Sequence, residues 1–493
     1  MTDTAEAPSL ASARSRTPAA PEPAPEETDR PSATDAAMGE DPDPPLEGYH
    51  RVPRPMRPGP APRRLDILFL YSRPPLPMTR GDELTVAHLL EFLHARGHAV
   101  DLITLAPPGY TLRREHEAWL KSRCRTFALV PVGRVESALR AVLGLFRGWP
   151  LQIGLLWSRA QMRRAEAAVK GRAYDLAYAY YIRSAEVLHA VKERVPVSFL
   201  ALQLAQTLNT ERLSKTAHGR LERLFYRFET RAMARYEAKV WRGVSRTVLI
   251  GPRDLEAIRT VCRRHGTGEI DNHVFGPHGV DVTQFRPRDP ALVEEATLVM
   301  SGVMRYAPNV EAATWFAGHV WPRLRRERPR ARLCLVGRDP APALLALDGK
   351  DGVTVTGTVE DPADWIARAT VSIAPIRAAA GLQNKLLEAM AMGKAVVATT
   401  VANEGIGAVP GRDLLLADEP EAMTRAILSL LDDEARRAEL GAAGRRFVEE
   451  HWTWEGPFLQ LEQAMLEARA RAEEKSTAPR PPDPHRSPSR PDP

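Results

Sequence analysis

Arg377, Gly381, Lys385 and Glu388 sit within one short stretch, IAPIRAAAGLQNKLLEAMAMGKAVVATT, and their spacing suits the grip of a phosphorylated ligand. The stretch reads as an apolar strand, a loop of small residues, a helix beginning near Leu382 and a second strand. The first helical amides, those of Gln383, Asn384 and Lys385, have no partner within the helix. Together with the positive end of the helix dipole they make a place for a diphosphate. Gly381 lets such a group approach without a side-chain clash. Arg377 and Lys385 supply cations that can neutralise charge building on a leaving phosphate, the largest expected catalytic term when a nucleotide departs. Glu388 follows Lys385 by one helical turn, so its carboxylate lies on a similar face and can accept from two ribose hydroxyls. The same residues also admit plainer roles: Glu388 as a partner of Lys385 or Lys394, the two cations as solvated surface charges, and Gly381 as a turn glycine.

These residues need a sheet whose carboxyl edge carries them. Order is expected from LDILFLYS, a buried strand, followed by the loop RPPLPMTRGDE, a helix with Val86, Leu89, Leu90 and Leu93 at helical spacing, and the strand AVDLITLA. Further strands are expected at CRTFALVPV, YDLAYAYY, PVSFLALQL and SRTVLIG. The pattern restarts near GPHGVDVTQFRP and runs through ATLVMSGVM, ARLCLVG, GVTVTGTV, VSIAPI, KAVVATT and LLLA. Two such runs predict an α/β chain of two Rossmann-like, doubly wound domains facing across a cleft. The expected divisions are a disordered Pro/Ala/acidic tail over 1–63, a first domain over 64–252, a second over 253–466 with a closing helix that crosses back to the first, and a disordered Pro-rich tail over 467–493. Gly81 and Asp82, in the first strand-to-helix loop, are candidates for contact with a second substrate. Asp82 serves equally as a helix cap. His88 and His98 are expected in packing or surface roles.

Composition narrows the classes. A chain of 493 residues, 44% of them hydrophobic, can fill two cores. Its three cysteines form no paired motif, so neither a disulfide framework nor a zinc site is expected. The N-terminus has no continuous apolar core and no stretch approaches the ~20 apolar residues that span a bilayer, which predicts a cytoplasmic protein. No GxxxxGK[ST], HExxH, GxSxG or EF-hand pattern occurs. The net charge of +6 is modest for this length, and no nucleic-acid partner is expected. Much of the excess lies over 212–246, where apolar and basic residues interleave. That segment reads either as a basic amphipathic helix at the inner face of a membrane or as a solvated helix covering one domain.

Taken in order, GVMRYAPNVEAATWF, LVGRDP, VTVTGTVED and VSIAPIRAAAGLQNKLLEAMAMGKAVVATTVANEGI resemble the donor half of glycosyltransferase family 4, especially bacterial members associated with exopolysaccharide synthesis. The resemblance runs from Arg64 to about Leu466 and is most specific from Gly276 onward. It implies the GT-B fold and sugar transfer from a nucleotide sugar with retention of configuration. It further implies no bound metal, no cofactor, and a glycan or lipid-linked acceptor. Catalytic roles then fall on Arg377 and Lys385, and donor binding on Gly302, Asn309, Gly381, Leu382, Gln383, Asn384 and Glu388. The chain departs from the family in three places. The first of two glutamates usual in the loop is Ala380; the Arg and Lys usual after the first strand of the second domain are absent, with Arg305 nearby; and Gln203 and Gln206 stand where many relatives carry aspartates. These departures leave open a catalytically silent scaffold of the same fold at a membrane complex, and an epimerase acting on the nucleotide sugar alone is a further alternative.

Overall fold

A computed structural model describes residues 59–477 apart from 79, 217–218, 277 and 378–381. The expected tails over 1–58 and 478–493, together with Ala380 and Gly381, lie outside the described residues.

All strand pairings are parallel, as expected where each strand is covered by helices on both faces. The first sheet is formed by β1 (Asp66–Tyr71), β2 (Ala99–Ala106), β3 (Thr126–Pro131), β4 (Leu176–Tyr180), β5 (Val197–Gln203), β6 (Arg246–Leu249) and β7 (His273–Phe275). Its order is β3-β2-β1-β4-β5-β6-β7. The second contains β8 (Thr297–Ser301), β9 (Arg332–Val336), β10 (Val353–Val355), β11 (Val371–Ala374), β12 (Val396–Ala398) and β13 (Leu415–Leu416), ordered β10-β9-β8-β11-β12-β13. Strand order thus reverses between β1 and β4 in one sheet and between β8 and β11 in the other. Such reversals open a crevice at the carboxyl edge of a doubly wound sheet, because the connecting helices leave to opposite faces.

The apolar runs predicted as central strands are those that vanish from solvent. Every residue of LAYAY and VSFLALQ is buried. The first sheet has a core on each face: Leu68, Leu70 and Leu200 on one, Ile67, Phe69, Tyr178 and Phe199 on the other. The second sheet shares a single larger core. The closing helix runs Glu455–Thr477 and packs on the first sheet. Phe458 is fully buried, its ring 5.3 Å from that of Phe92, and burying such a side chain contributes roughly 1.5–3 kcal/mol. Glu462 accepts from Arg96 and from His98 Nε2, each at 2.6 Å, while His98 Nδ1 accepts from the Leu65 amide at 3.0 Å. His98 therefore serves packing, and so does His88, which is buried and stacked 4.8 Å from Trp454.

Three boundaries differ from the sequence reading. The first sheet extends through β7 to Phe275, so the first domain outlasts residue 252; β7 is three residues long and only partly buried, which leaves little apolar signal. The closing helix continues past 466: residues 467–477, expected in a tail, are helical, with Arg469 reaching Asp175 at 2.9 Å and Arg63 reaching Glu473 at 2.7 Å. The basic segment over 212–246 is not one helix: it includes the end of Gln206–Thr216, all of Arg220–Val240 and the first residue of β6.

Candidate functional site

At the crevice between β8 and β11, three of the expected donor residues, Gly302, Asn309 and Gln383, meet around Lys385. β8 ends at Ser301, and Gly302 turns out of it with φ +147°, a conformation that favours glycine. A Cβ on Gly302 would lie 2.9 Å from Asn309 Nδ2 and 3.2 Å from Lys385 Cε, so the missing side chain is the space in which these two meet. The neighbouring strand β9 ends in Gly337, φ +151°, where a Cβ would fall 1.6 Å from the Gly302 carbonyl oxygen. Two glycines at adjacent strand ends therefore form a backbone floor.

Asn309 is buried in the first turn of the helix Ala307–Trp315. Its Nδ2 donates to the Val303 carbonyl at 2.9 Å, which fixes the amide and leaves Oδ1 to accept from Lys385 Nζ at 2.8 Å. Lys385 also donates to Gln383 Oε1 at 3.2 Å. Gln383 is the N-cap of Asn384–Ala391, yet its side chain makes no capping bond there and turns to the lysine instead. The Lys385 ammonium thus rests against two neutral amides. Burial pushes it down to about 8, with Glu388, one turn on, acting in the opposite direction. An ammonium held by neutral acceptors keeps its charge for a ligand.

Asn384 Oδ1 accepts from His278 Nε2 at 2.6 Å, and burial holds the His278 imidazole below its ordinary pKa despite that bond. The His278 ring stands 5.6 Å from Trp454, on whose ring His88 of the first domain is stacked. This column ties the start of the helix Asn384–Ala391 to the connection between the domains. Leu382 packs on the second core beside Gly405.

Arg377, expected as a second cation beside Lys385, lies on the outer side of the helix Ala307–Trp315. Its guanidinium is half exposed, 3.3 Å from Glu311 Oε1 and 5.2 Å from the Trp315 ring centre. Those partners lie on Ala307–Trp315, the helix that also carries Asn309. Arg305 is exposed and 3.9 Å from Asp339.

On the first domain, Gly81 opens the helix Gly81–Ala95, and a Cβ placed on it would meet nothing within 4 Å, so the backbone there is open to approach. Asp82 does not cap that helix, whose N-cap is Arg80. Its Oδ2 accepts from the Tyr71 hydroxyl at 2.9 Å and lies 3.5 Å from Arg73 Nε. Burial alone would raise its pKa; Arg73, Arg183, Tyr71 and Arg80 outweigh burial and hold it below the ordinary carboxylate value. The carboxyl edges of the two sheets approach one another: Arg253 pairs with Glu404, and the charge of Arg338 acts on Arg80.

Sequence reasoning gave no role to Gly337, Arg338 or His278, although LVGRDP and GPHGVDV were in view. The available signal was a glycine directly after an apolar strand.

Residues 295–433 match the family described as Glycosyl transferases group 1. A GDP-mannose-dependent monoacylated alpha-(1-6)-phosphatidylinositol monomannoside mannosyltransferase from Corynebacterium glutamicum is 30% identical over 199 residues, 36% of this chain and 52% of that protein. The chain thus matches about half the length of that relative. An uncharacterized 44.6 kDa protein in the cps region of Klebsiella pneumoniae is 19% identical over 399 residues, 78% of this chain and 96% of that one. Among solved structures, a sucrose-phosphate synthase from Thermosynechococcus elongatus is similar with a TM-score of 0.60 at 19% identity, covering 83% of this chain and 100% of its own. Anabaena HepE in complex with UDP is similar with a TM-score of 0.55 at 14% identity, covering 82% and 100%. The chain has the GT-B fold of glycosyltransferases, and its second sheet carries the group 1 segment.

Proposed function

We propose that the chain is a retaining, metal-independent glycosyltransferase of family 4. It moves a sugar from a nucleotide sugar to a glycan or lipid-linked acceptor in exopolysaccharide or cell-surface glycan synthesis, in the cytoplasm at the inner face of a membrane. The observation that carries the reading is the Lys385 ammonium held by Asn309 and Gln383 above the floor of Gly302 and Gly337, at the crevice where strand order reverses.

The donor's diphosphate sits against this floor, its oxygens accepting from the first amides of Asn384–Ala391 and from Lys385. The Glu388 carboxylate accepts from the ribose hydroxyls. As the bond from the sugar's anomeric carbon to the phosphate oxygen breaks, negative charge builds on that oxygen. The helix start and Lys385 are already in place to stabilise it. The acceptor hydroxyl attacks from the same face, and its proton passes to the departing phosphate, so no protein nucleophile is needed. Arg377, 3.3 Å from Glu311 Oε1 and over the Trp315 ring, is the second cation offered to that charge.

A membrane-facing location is supported by the first domain's surface. The helix Arg134–Phe146 leaves Val135, Leu139, Val142, Leu143 and Phe146 between 49 and 86% exposed. The helix Arg220–Val240 leaves Leu221, Leu224 and Phe228 exposed beside Arg220, Arg223, Arg227, Arg231 and Arg235. The two adjoin through Leu151–Leu156: Gly154 packs against Ala141, and Glu229 accepts from the Leu151 amide at 2.8 Å. Apolar side chains rimmed by arginine fit an anionic lipid surface. Among the described residues no helix is long and apolar enough to cross a membrane.

The test is product analysis of the full chain with a panel of nucleotide sugars and candidate glycan acceptors. Release of nucleoside diphosphate with a glycosylated product is expected only when donor and acceptor are both present. Conversion of donor alone would point to epimerisation, and no turnover with any donor would point to a scaffold.

A further inference from the structure

A carboxamide beside an anion can offer either its oxygen or its NH2, and only the NH2 attracts a phosphate. Asn384 stands at such a place. It is the first residue of the helix Asn384–Ala391, half-buried, directly before Lys385. Its Oδ1 accepts from His278 Nε2 at 2.6 Å, and among the described residues its Nδ2 has no hydrogen-bond partner. Turning the amide over would forfeit the bond to His278 and set two N–H donors face to face. His278 thereby decides which end of the carboxamide is left for a ligand.

The imidazole can hold the amide because its own position is fixed from several sides. His278 is buried in the connection between β7 and β8. A Cβ on the next residue, Gly279, would lie 2.8 Å from the Trp454 amide nitrogen, and the Val280 amide donates to the Trp452 carbonyl at 2.8 Å. The connection that enters the second domain and the one that leaves it therefore lie against each other, with the His278 ring 5.6 Å from the buried Trp454 indole. Burial keeps the imidazole below its ordinary pKa, so near neutral pH the ring is uncharged and carries one N–H, which the bond to Asn384 places on Nε2. A neutral ring adds no second positive charge beside the Lys385 ammonium, itself held by neutral amides.

We infer that His278 is a positioning residue for the donor: it holds the Asn384 carboxamide so that Nδ2 donates to a phosphate oxygen of the diphosphate, beside the backbone amides of the helix start and Lys385. The inference rests on the glycosyltransferase reading, which places the diphosphate at this crevice. A phosphate oxygen accepting from a fixed N–H gains a charge-assisted bond, and a side chain oriented before the ligand arrives loses little freedom when it binds. The residue that does the orienting lies on the connection between the domains, 106 positions away in sequence from the group it orients.

The experiment titrates the full chain calorimetrically with UDP, GDP and the matching nucleosides. Asn384→Ala is expected to weaken whichever diphosphate binds by about tenfold, the loss of one hydrogen bond to a charged group. His278→Phe, which keeps a ring against Trp454, is expected to weaken it by a similar factor. The double variant should lose no more than about twofold beyond either single one, because both act through the same bond. His278→Gln, whose side-chain nitrogen can lie where Nε2 does, should keep the diphosphate affinity within about threefold of the unmodified chain. Nucleoside affinity stays within about twofold throughout. His278→Leu replaces the phenylalanine variant should that one fail to fold by thermal melting, and the same outcome is expected of it. Full diphosphate affinity without the imidazole overturns the inference. So does a loss shared equally by diphosphate and nucleoside that glutamine does not restore, which would make His278 a packing residue alone. If neither diphosphate binds the unmodified chain, the glycosyltransferase reading itself has failed and the role of His278 falls with it.

Discussion

Lys385→Met lowers turnover with a nucleotide sugar at least about 100-fold and weakens nucleoside diphosphate binding about tenfold, while the chain still folds. The size follows from removing one preformed cation aimed at a departing phosphate, an effect of roughly 3–4 kcal/mol in comparable cases. Methionine keeps most of the aliphatic stem, so the packing beside Gly302 survives and the lost feature is the charge. The pH profile separates this role from a structural one. The unliganded ammonium, pushed down to about 8 by burial, is charged below that pH and neutral above it. A diphosphate prefers the charged form, so its affinity for the unmodified chain falls as pH rises through 8. Lys385→Met lacks this step. Calorimetry between about pH 7 and 9 on both proteins, with thermal melts to check folding, decides the matter; an unchanged affinity and profile in the variant would remove Lys385 from the site.

The second large effect concerns the membrane-facing surface. The unmodified chain is expected to sediment with vesicles of phosphatidylcholine and phosphatidylglycerol, and to release as salt is raised, because the exposed arginines answer the anionic headgroups at about 1 kcal/mol each. Leu139→Glu with Phe146→Glu is expected to reduce the sedimented fraction at least tenfold. Both side chains are more than half exposed, at 62 and 86%, so their replacement leaves the cores intact. Each apolar side chain inserted contributes up to roughly 1.5–3 kcal/mol, and placing a carboxylate at that depth adds a desolvation cost. Release of nucleoside diphosphate with a water-soluble acceptor should be unaffected. Equal sedimentation of variant and unmodified chain would show that this surface meets something other than lipid.

What the sequence made legible, and what it concealed, divides along local and long-range order. Buried parallel strands are continuous apolar runs, so β1, β2, β4, β5 and the strands of the second sheet stood out, and so did the restart of the pattern between the domains. The three-residue β7, with its partly exposed HVF, carries no such run and moved the domain boundary. Gly302 and Asn309 fall to donor binding and Lys385 to a catalytic role by resemblance, yet their mutual contact joins segments 76 residues apart and depends on β8 and β11 being neighbours, which spacing along the chain does not encode. For Asp82, substrate contact and helix capping were equally open from sequence. Capping is ruled out because the helix begins one residue before it and Tyr71 and Arg73 claim its carboxylate. The arginines around Asp82 were hidden for the same reason. Arg73, Arg80 and Arg183 are of a residue type common on surfaces, and only the pairing of β1 with β4 brings them together.

The measurement that tests the central claim most directly is a calorimetric comparison of UDP and GDP with uridine and guanosine on the full chain. If the crevice between β8 and β11 grips a diphosphate, at least one nucleoside diphosphate binds ten or more times tighter than its nucleoside. Failure of both diphosphates to bind, or a nucleoside binding as tightly as its diphosphate, would contradict the account.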